Sequence, residues 1–149
     1  MVLVGCHIGT TKGFTSTVTY AKQIGCEIYQ MFLGSPKSSN TKRKNIKDLH
    51  EIRDKSIEYD IKIVIHAAYV LNFCHPEDVA IHTNAVDSLV KNVLDAHELN
   101  SLGVVVHMGK NIKGLKQSHE VALDNYVAGI RNVINQTSHT DQKILFETG

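Results

Sequence analysis

The sequence predicts an α/β fold: a parallel sheet of the (β/α)8 TIM-barrel type, with about the first four and a half β-α units present. Three observations carry this prediction. Five short runs rich in Val, Ile and Leu alternate with four segments of helical periodicity. The runs are continuously apolar, as strands covered on both faces are. The 149 residues hold little more than half of the roughly 250 that a complete barrel takes. Alternation of this kind requires crossover helices between parallel strands. An open doubly wound sheet would satisfy it too, but no G-x-G-x-x-G or G-x-x-x-x-G-K-[ST] follows any run, which weakens that option.

Each element has its own reason. The run 2–5 (VLVG) is short and β-branched, which suits a buried first strand. Val18, Ala21 and Ile24 follow at helical spacing, and Gly25 closes that helix. The run 27–33 (EIYQMFL) is the second strand, broken by Gly34-Ser35-Pro36. Ile46, Leu49, Ile52 and Ile57 mark a helix over roughly 44–59, and 62–65 (KIVI) is the third strand. His75-Pro76 precedes a long helix with Val86, Leu89, Val90, Val93 and Leu94 on one face. The fourth strand is 103–106 (GVVV). The fourth helix carries Leu123, Tyr126, Val127, Ile130, Val133 and Ile134, and 143–146 (KILF) is the fifth strand.

Composition excludes several classes. A net charge of +1 gives no global basic field, so any nucleic-acid binding must come from a local patch. Cys6, Cys26 and Cys74 are odd in number and form no C-x-x-C, so reduced, partly buried thiols are expected. The chain does not start with a charged segment followed by an apolar run, and no stretch approaches 18 consecutive apolar residues. The expectation is an intracellular protein, cytoplasmic or nuclear, that is neither secreted nor membrane-bound.

The residues that follow the apolar runs point to chemistry. His66 follows the third run, His107 the fourth and Glu147 the fifth, 41 and 40 residues apart. In a parallel barrel the carboxyl ends of all strands open on one face, where the active site sits. Two imidazoles and a carboxylate converging there form a ligand set that zinc takes when it keeps a position open for water. A single histidine at a strand end is usually structural; three ligand-type residues at the same place in successive units are harder to explain that way. His50, His82, His97, His119 and His139 lie away from strand ends and are expected at the surface.

Five segments add a resemblance: GCHIGTTKG (5–13), YQMFLGSPKS (29–38), IHAAYVLNF (65–73), VVVHMGKN (104–111) and ILFETG (144–149). In this order and spacing the chain resembles the N-terminal half of endonuclease IV, the zinc-dependent apurinic/apyrimidinic (AP) endonuclease family of (β/α)8 barrels. HAAYVLN is the most specific of them. The resemblance implies a single AP-endonuclease barrel domain, of which 1–149 is the N-terminal part. It implies hydrolysis of the phosphodiester 5′ to an abasic site in double-stranded DNA. His66 and His107 would be ligands of one Zn2+ in a cluster of up to three, and Glu147 would bridge that ion to a second and serve catalysis. Tyr69 and Val70 would wedge into the duplex at the lesion, Asn72 matches a recurrent asparagine of the same loop, and Ser35 and Lys37 would contact DNA. Lys37, Lys42, Arg43, Lys44 and Lys47 make the most basic stretch, placed to meet phosphates. His7 matches a histidine of the site floor, not a ligand.

The chain also departs from that family. His107-Met108-Gly109 stands where the family has H-P-G, so the rigid turn is lost, and Glu147-Thr148-Gly149 is shorter than E-N-T-A-G. The ligands of later strands are not in the chain, so protein ligands for one zinc are retained. The isolated chain is expected to be inactive or incomplete, to self-associate, or to pair with a missing C-terminal half. Two other readings stay open: a xylose-isomerase-like sugar isomerase or epimerase, which shares the β-α pattern, and a truncated non-catalytic remnant.

Overall fold

The computed structural model describes residues 2–148; Gly149, the end of the last motif, lies outside them. Strands and helices alternate without exception: β1 (Gly5–His7), α1 (Thr17–Gln23), β2 (Ile28–Phe32), α2 (Ile46–Glu58), β3 (Lys62–His66), α3 (Ala80–Glu98), β4 (Val104–His107), α4 (His119–Gln136) and β5 (Ile144–Glu147). A short 3-10 turn, Lys113–Leu115, precedes α4. The five strands are all parallel and lie in chain order, β1-β2-β3-β4-β5. Right-handed crossovers between neighbouring strands put every helix on the same face of the sheet. The helices accordingly pack in sequence, α1 on α2, α2 on α3 and α3 on α4. This is a half-open barrel of the (β/α)8 type.

Period-2 alternation sorts the strand residues between the two faces. Tyr29, Met31, Ile63, Ile65, Val104 and Val106 point under the helices and are buried, meeting Val18, Leu49, Ile52, Leu89, Val93 and Val133 in one core. Their neighbours on the other face, Gln30, Phe32, Val64 and Val105, are half-buried, and Lys62 is exposed. That second face is concave and open.

Three expectations need correction. The first strand is Gly5–His7 rather than 2–5, and Val2 and Val4 are 85% and 68% exposed. The ladder with β2 begins only at Gly5, opposite Ile28, and β1 is an edge with a partner on one side. The helical stripe of α4 is split. Tyr126, Ile130 and Val133 are buried, but Leu123, Val127 and Ile134 are exposed, because α4 ends the row of helices and has a helix neighbour, α3, on one side alone. His82 is not at the surface. It is 2% exposed, and its Nδ1–H donates to the Phe73 carbonyl at 3.1 Å and the His75 carbonyl at 2.9 Å. The loop leading into α3 turns its carbonyls inward there, and buried carbonyls need donors.

The three thiols are free. Cys74 is buried, whereas Cys6 is exposed, with its sulfur 3.7 Å from that of Cys26. No helix among the described residues is long and apolar enough to cross a membrane.

Candidate metal centre

The strands run one residue further than the apolar pattern, so His66, His107 and Glu147 are the last residues of β3, β4 and β5. His107 pairs directly with Glu147, and His66 pairs with Val105 and Phe32. Alternation turns all three side chains to the concave face. Their ligand atoms lie within 4.8 Å of one another, the one such group of His, Cys, Asp or Glu among the described residues.

One hydrogen bond selects the tautomer of His66. Its Nδ1 is 2.6 Å from the Ala67 carbonyl, which can only accept, so Nδ1 carries the proton. Nε2 then faces Glu147 Oε2 at 3.0 Å. His107 Nε2 is 3.3 Å from the same oxygen. A backbone carbonyl on the far ring nitrogen is how proteins hold a ligating imidazole in place. When His66 carries both ring protons its Nε2–H donates to Glu147, and this bond, with the charge of His107 and His66, holds the Glu147 carboxyl below its usual range, against a smaller opposing effect of desolvation. The carboxylate is therefore ready to bind a cation.

Aromatic rings pack around this cluster. The Phe32 ring lies 4.6 Å from His7, 5.1 Å from His66 and 5.0 Å from Tyr69, centre to centre. Tyr69 is also 5.2 Å from both His66 and His107. His7 stands outside the ligand group. Desolvation, and secondarily the charge of His66, lower its pKa. Phe32 escaped the sequence reading, although its signal was available: it ends β2 at the level of His66.

The other singled-out residues surround the cluster. An open cavity of about 550 Å3 is lined by Tyr69, Val70, Asn72, His107, Lys110 and Glu147, among others. Tyr69 and Val70 are 52% and 46% exposed at its rim. The Asn72 side chain is engaged within the protein, on the backbone of Cys74 and Lys110. Ser35 and Lys37 are exposed one loop away, and the Pro36 carbonyl accepts from the Tyr69 N–H at 2.9 Å, joining the two loops.

The basic stretch is divided. Arg43 pairs with Asp95 of α3, whose side chain is fully buried, and the Lys44 N–H donates to the same carboxylate at 2.9 Å. Burial raises the Asp95 pKa, opposed by the Lys44 N–H and by Arg43. The Lys44 ammonium sits 5.1 Å over the Phe14 ring. Lys37, Lys42 and Lys47 remain exposed cations. Asp95 gave no signal in the sequence, because an acid within an apolar helical stripe reads as the edge of a solvated face.

A parallel half-barrel with a His–His–Glu group at its strand ends defines the class, a TIM-type barrel with a candidate metal site. Residues 18–149 match the model of the xylose isomerase-like TIM barrel family, and the chain belongs to that family. Within it, the chain is similar to endonuclease 4. It is 40% identical over 149 residues to a putative endonuclease 4 of Acanthamoeba polyphaga mimivirus, covering 98% of this chain and 47% of that protein. Endonuclease IV of Thermus thermophilus superposes with a TM-score of 0.81 at 21% identity, over 97% of this chain and 51% of that one. A D-tagatose 3-epimerase-like protein superposes less closely, at 0.69 and 19% identity, over 96% and 52%. The chain spans about half the length of the relatives it matches.

Proposed function

We propose that this chain is the metal-binding N-terminal part of a single barrel domain that incises DNA on the 5′ side of abasic sites. The observation that carries the reading is the convergence of His66 Nε2, His107 Nε2 and Glu147 Oε2 on one point, with the His66 tautomer selected by the Ala67 carbonyl. Likeness to endonuclease 4 supports nuclease chemistry, and the resemblance of the five sequence segments to the AP-endonuclease family suggests the abasic substrate. The donor set suits zinc: two imidazoles and a carboxylate, leaving a coordination position for water. Bound there, zinc supplies an acidified water and positive charge beside the phosphate. His66 and His107 would hold the ion, with Glu147 as the third ligand.

The remaining residues address the duplex. Tyr69 and Val70 project from the cavity rim, where an aromatic and an aliphatic side chain can enter a base step. Unstacking a step costs a few kcal/mol and least where a base is already missing. Asn72 shapes that loop, and Ser35 with Lys37, Lys42 and Lys47 offers phosphate contacts. Zinc ligands beyond these three come from the other half of the barrel, so efficient incision belongs to the completed fold.

The test is zinc uptake against a chromophoric chelator, followed by retention of a duplex carrying an abasic analogue. The expected result is one zinc per chain, lost in His66→Ala and His107→Ala, and preference for the abasic duplex over an intact one, lost in Tyr69→Ala. Unchanged zinc affinity in both histidine variants would falsify the site. Retention of a ketose sugar without any abasic duplex would favour the epimerase reading instead.

A further inference from the structure

Asn72 stitches the loop after β3 to the turn that directly follows β4, alongside Cys74 Sγ on the Met108 carbonyl at 3.9 Å and, further along the second loop, Gln117 Nε2 on the Cys74 carbonyl at 2.7 Å. Asn72 Oδ1 accepts from the Cys74 N–H at 3.1 Å and from the Lys110 N–H at 3.2 Å. Its Nδ2 donates to the Lys110 carbonyl at 2.9 Å. The amide thus pairs with both backbone groups of Lys110, as a neighbouring strand would, and closes a tight turn on its own side. Gly109 makes the approach possible. It has φ +74°, and a Cβ there would lie 2.6 Å from Asn72 Oδ1 and 3.3 Å from Cys74 Sγ. Lys110 is three residues beyond His107, and no proline stiffens the turn between them. His107 itself is half-exposed and stands at the end of a four-residue strand. Its ring has Tyr69 and His66 as neighbours but, among the described residues, no hydrogen bond to the backbone comparable to that of His66.

We infer that Asn72 is a positioning residue: its amide clamps the turn Met108–Lys110 and thereby holds His107 Nε2 beside Glu147, so that metal affinity depends on a side chain that ligates nothing. The inference rests on the proposed metal site. Orientation of a ligand by groups behind it is typically worth about 10–100-fold in metal affinity. His66 carries its own orienting bond, so the loss falls on the His107 side of the site.

Cobalt(II) titration of the full chain tests this through visible absorption, which reports the ligand geometry independently of any catalysis. The wild-type chain is expected to take one cobalt. Asn72→Ala is expected to bind it roughly 10–100-fold more weakly, with shifted bands and an unchanged far-ultraviolet dichroism. Asn72→Asp keeps the acceptor but loses the donor to Lys110, so an intermediate affinity is expected. It is also the variant to read if the alanine variant does not fold. Gly109→Ala, with Asn72 intact, is expected to reproduce the defect by collision. Wild-type affinity and bands in folded Asn72→Ala, or in Asn72→Asp where only that variant folds, would overturn the clamp and leave the metal site standing. A wild-type chain that takes no cobalt overturns the site and the clamp with it.

Discussion

What the second ring nitrogen faces separates a histidine that can bind a metal from one that cannot. His66 and His82 are both buried, and both donate Nδ1–H to backbone carbonyls. Nε2 of His66 looks onto Glu147, whereas Nε2 of His82 abuts the Gly129 backbone, where a Cβ would sit 3.1 Å away. Position at a strand end marked the first; nothing local in the sequence marked the second as buried. The same burial governs the core hydroxyls. Burial pushes Tyr29 up to about 12, partly offset by its hydrogen bond with Thr17, and burial with the nearby Cys74 pushes Tyr126 up to about 12. Between pH 10 and 12 the folded chain keeps these protons and the unfolded chain releases them. Their contribution is therefore complete below about pH 10 and lost as pH rises through the folded pKa. For Tyr29 that separation corresponds to about 2–3 kcal/mol. Tyrosinate absorbance and dichroism followed together should show the core tyrosines ionising only as the helices melt. Tyr29→Phe should move that alkaline midpoint upward; ionisation of both residues in the intact fold would contradict the assignment.

At the scale of the element, α4 places two opposing effects on one residue. Gly129 lies inside an 18-residue helix, where glycine costs about 1 kcal/mol relative to alanine. A Cβ at that position would stand 2.8 Å from the Phe73 ring and 3.0 Å from the His82 ring. Phe73 is fully buried and stacks edge-on to Tyr126 at 5.6 Å, so it has no room to yield. Overpacking costs about 1–3 kcal/mol, and the collision wins. Gly129→Ala should lower the urea midpoint despite its better helix propensity; a raised midpoint would show that the rings can move aside. Legibility in the sequence divides in the same way. β2, α2 and β3 were readable to within two residues because each is covered on both sides, and apolar pattern then reports burial directly. β1 and the outer stripe of α4 were misread because they lie at the margins of the sheet and helix row, where apolar residues stay exposed. The strand-end rule located His66, His107 and Glu147, since it depends on counting β-α units and not on the margins. The Asp95 anchor for Arg43 and the Asn72 clamp join segments 52 and 38 residues apart, and no local pattern reports such pairings.

Among the described residues β1 and β5 are the two edges of the sheet, and its concave face is open. Exposed strand edges are templates for pairing with another chain. Apolar side chains accompany the β5 edge: Leu145, Phe146, Leu123, Val127 and Ile134 are all more than a third exposed. A cavity of about 450 Å3 lies among Ile134, Ile144 and Phe146. Burying such surface gains about 25 cal/mol per Å2, and a net charge of +1 offers almost no electrostatic opposition to association. The chain should therefore self-associate in the absence of a second half. In sedimentation equilibrium the apparent mass should rise above 16.5 kDa with concentration. Leu123→Lys with Val127→Lys touches only the exposed stripe of α4 and should lower that mass without loss of helix content. A chain that stays monomeric across the accessible range would mean that the twist of the short edge strands already protects them. If self-association is seen, metal uptake separates its two forms. Pairing through β5 would bring a second chain against Glu147, the last residue of that strand, and should alter zinc binding. Pairing through β1 would leave the three ligands free and zinc binding unchanged.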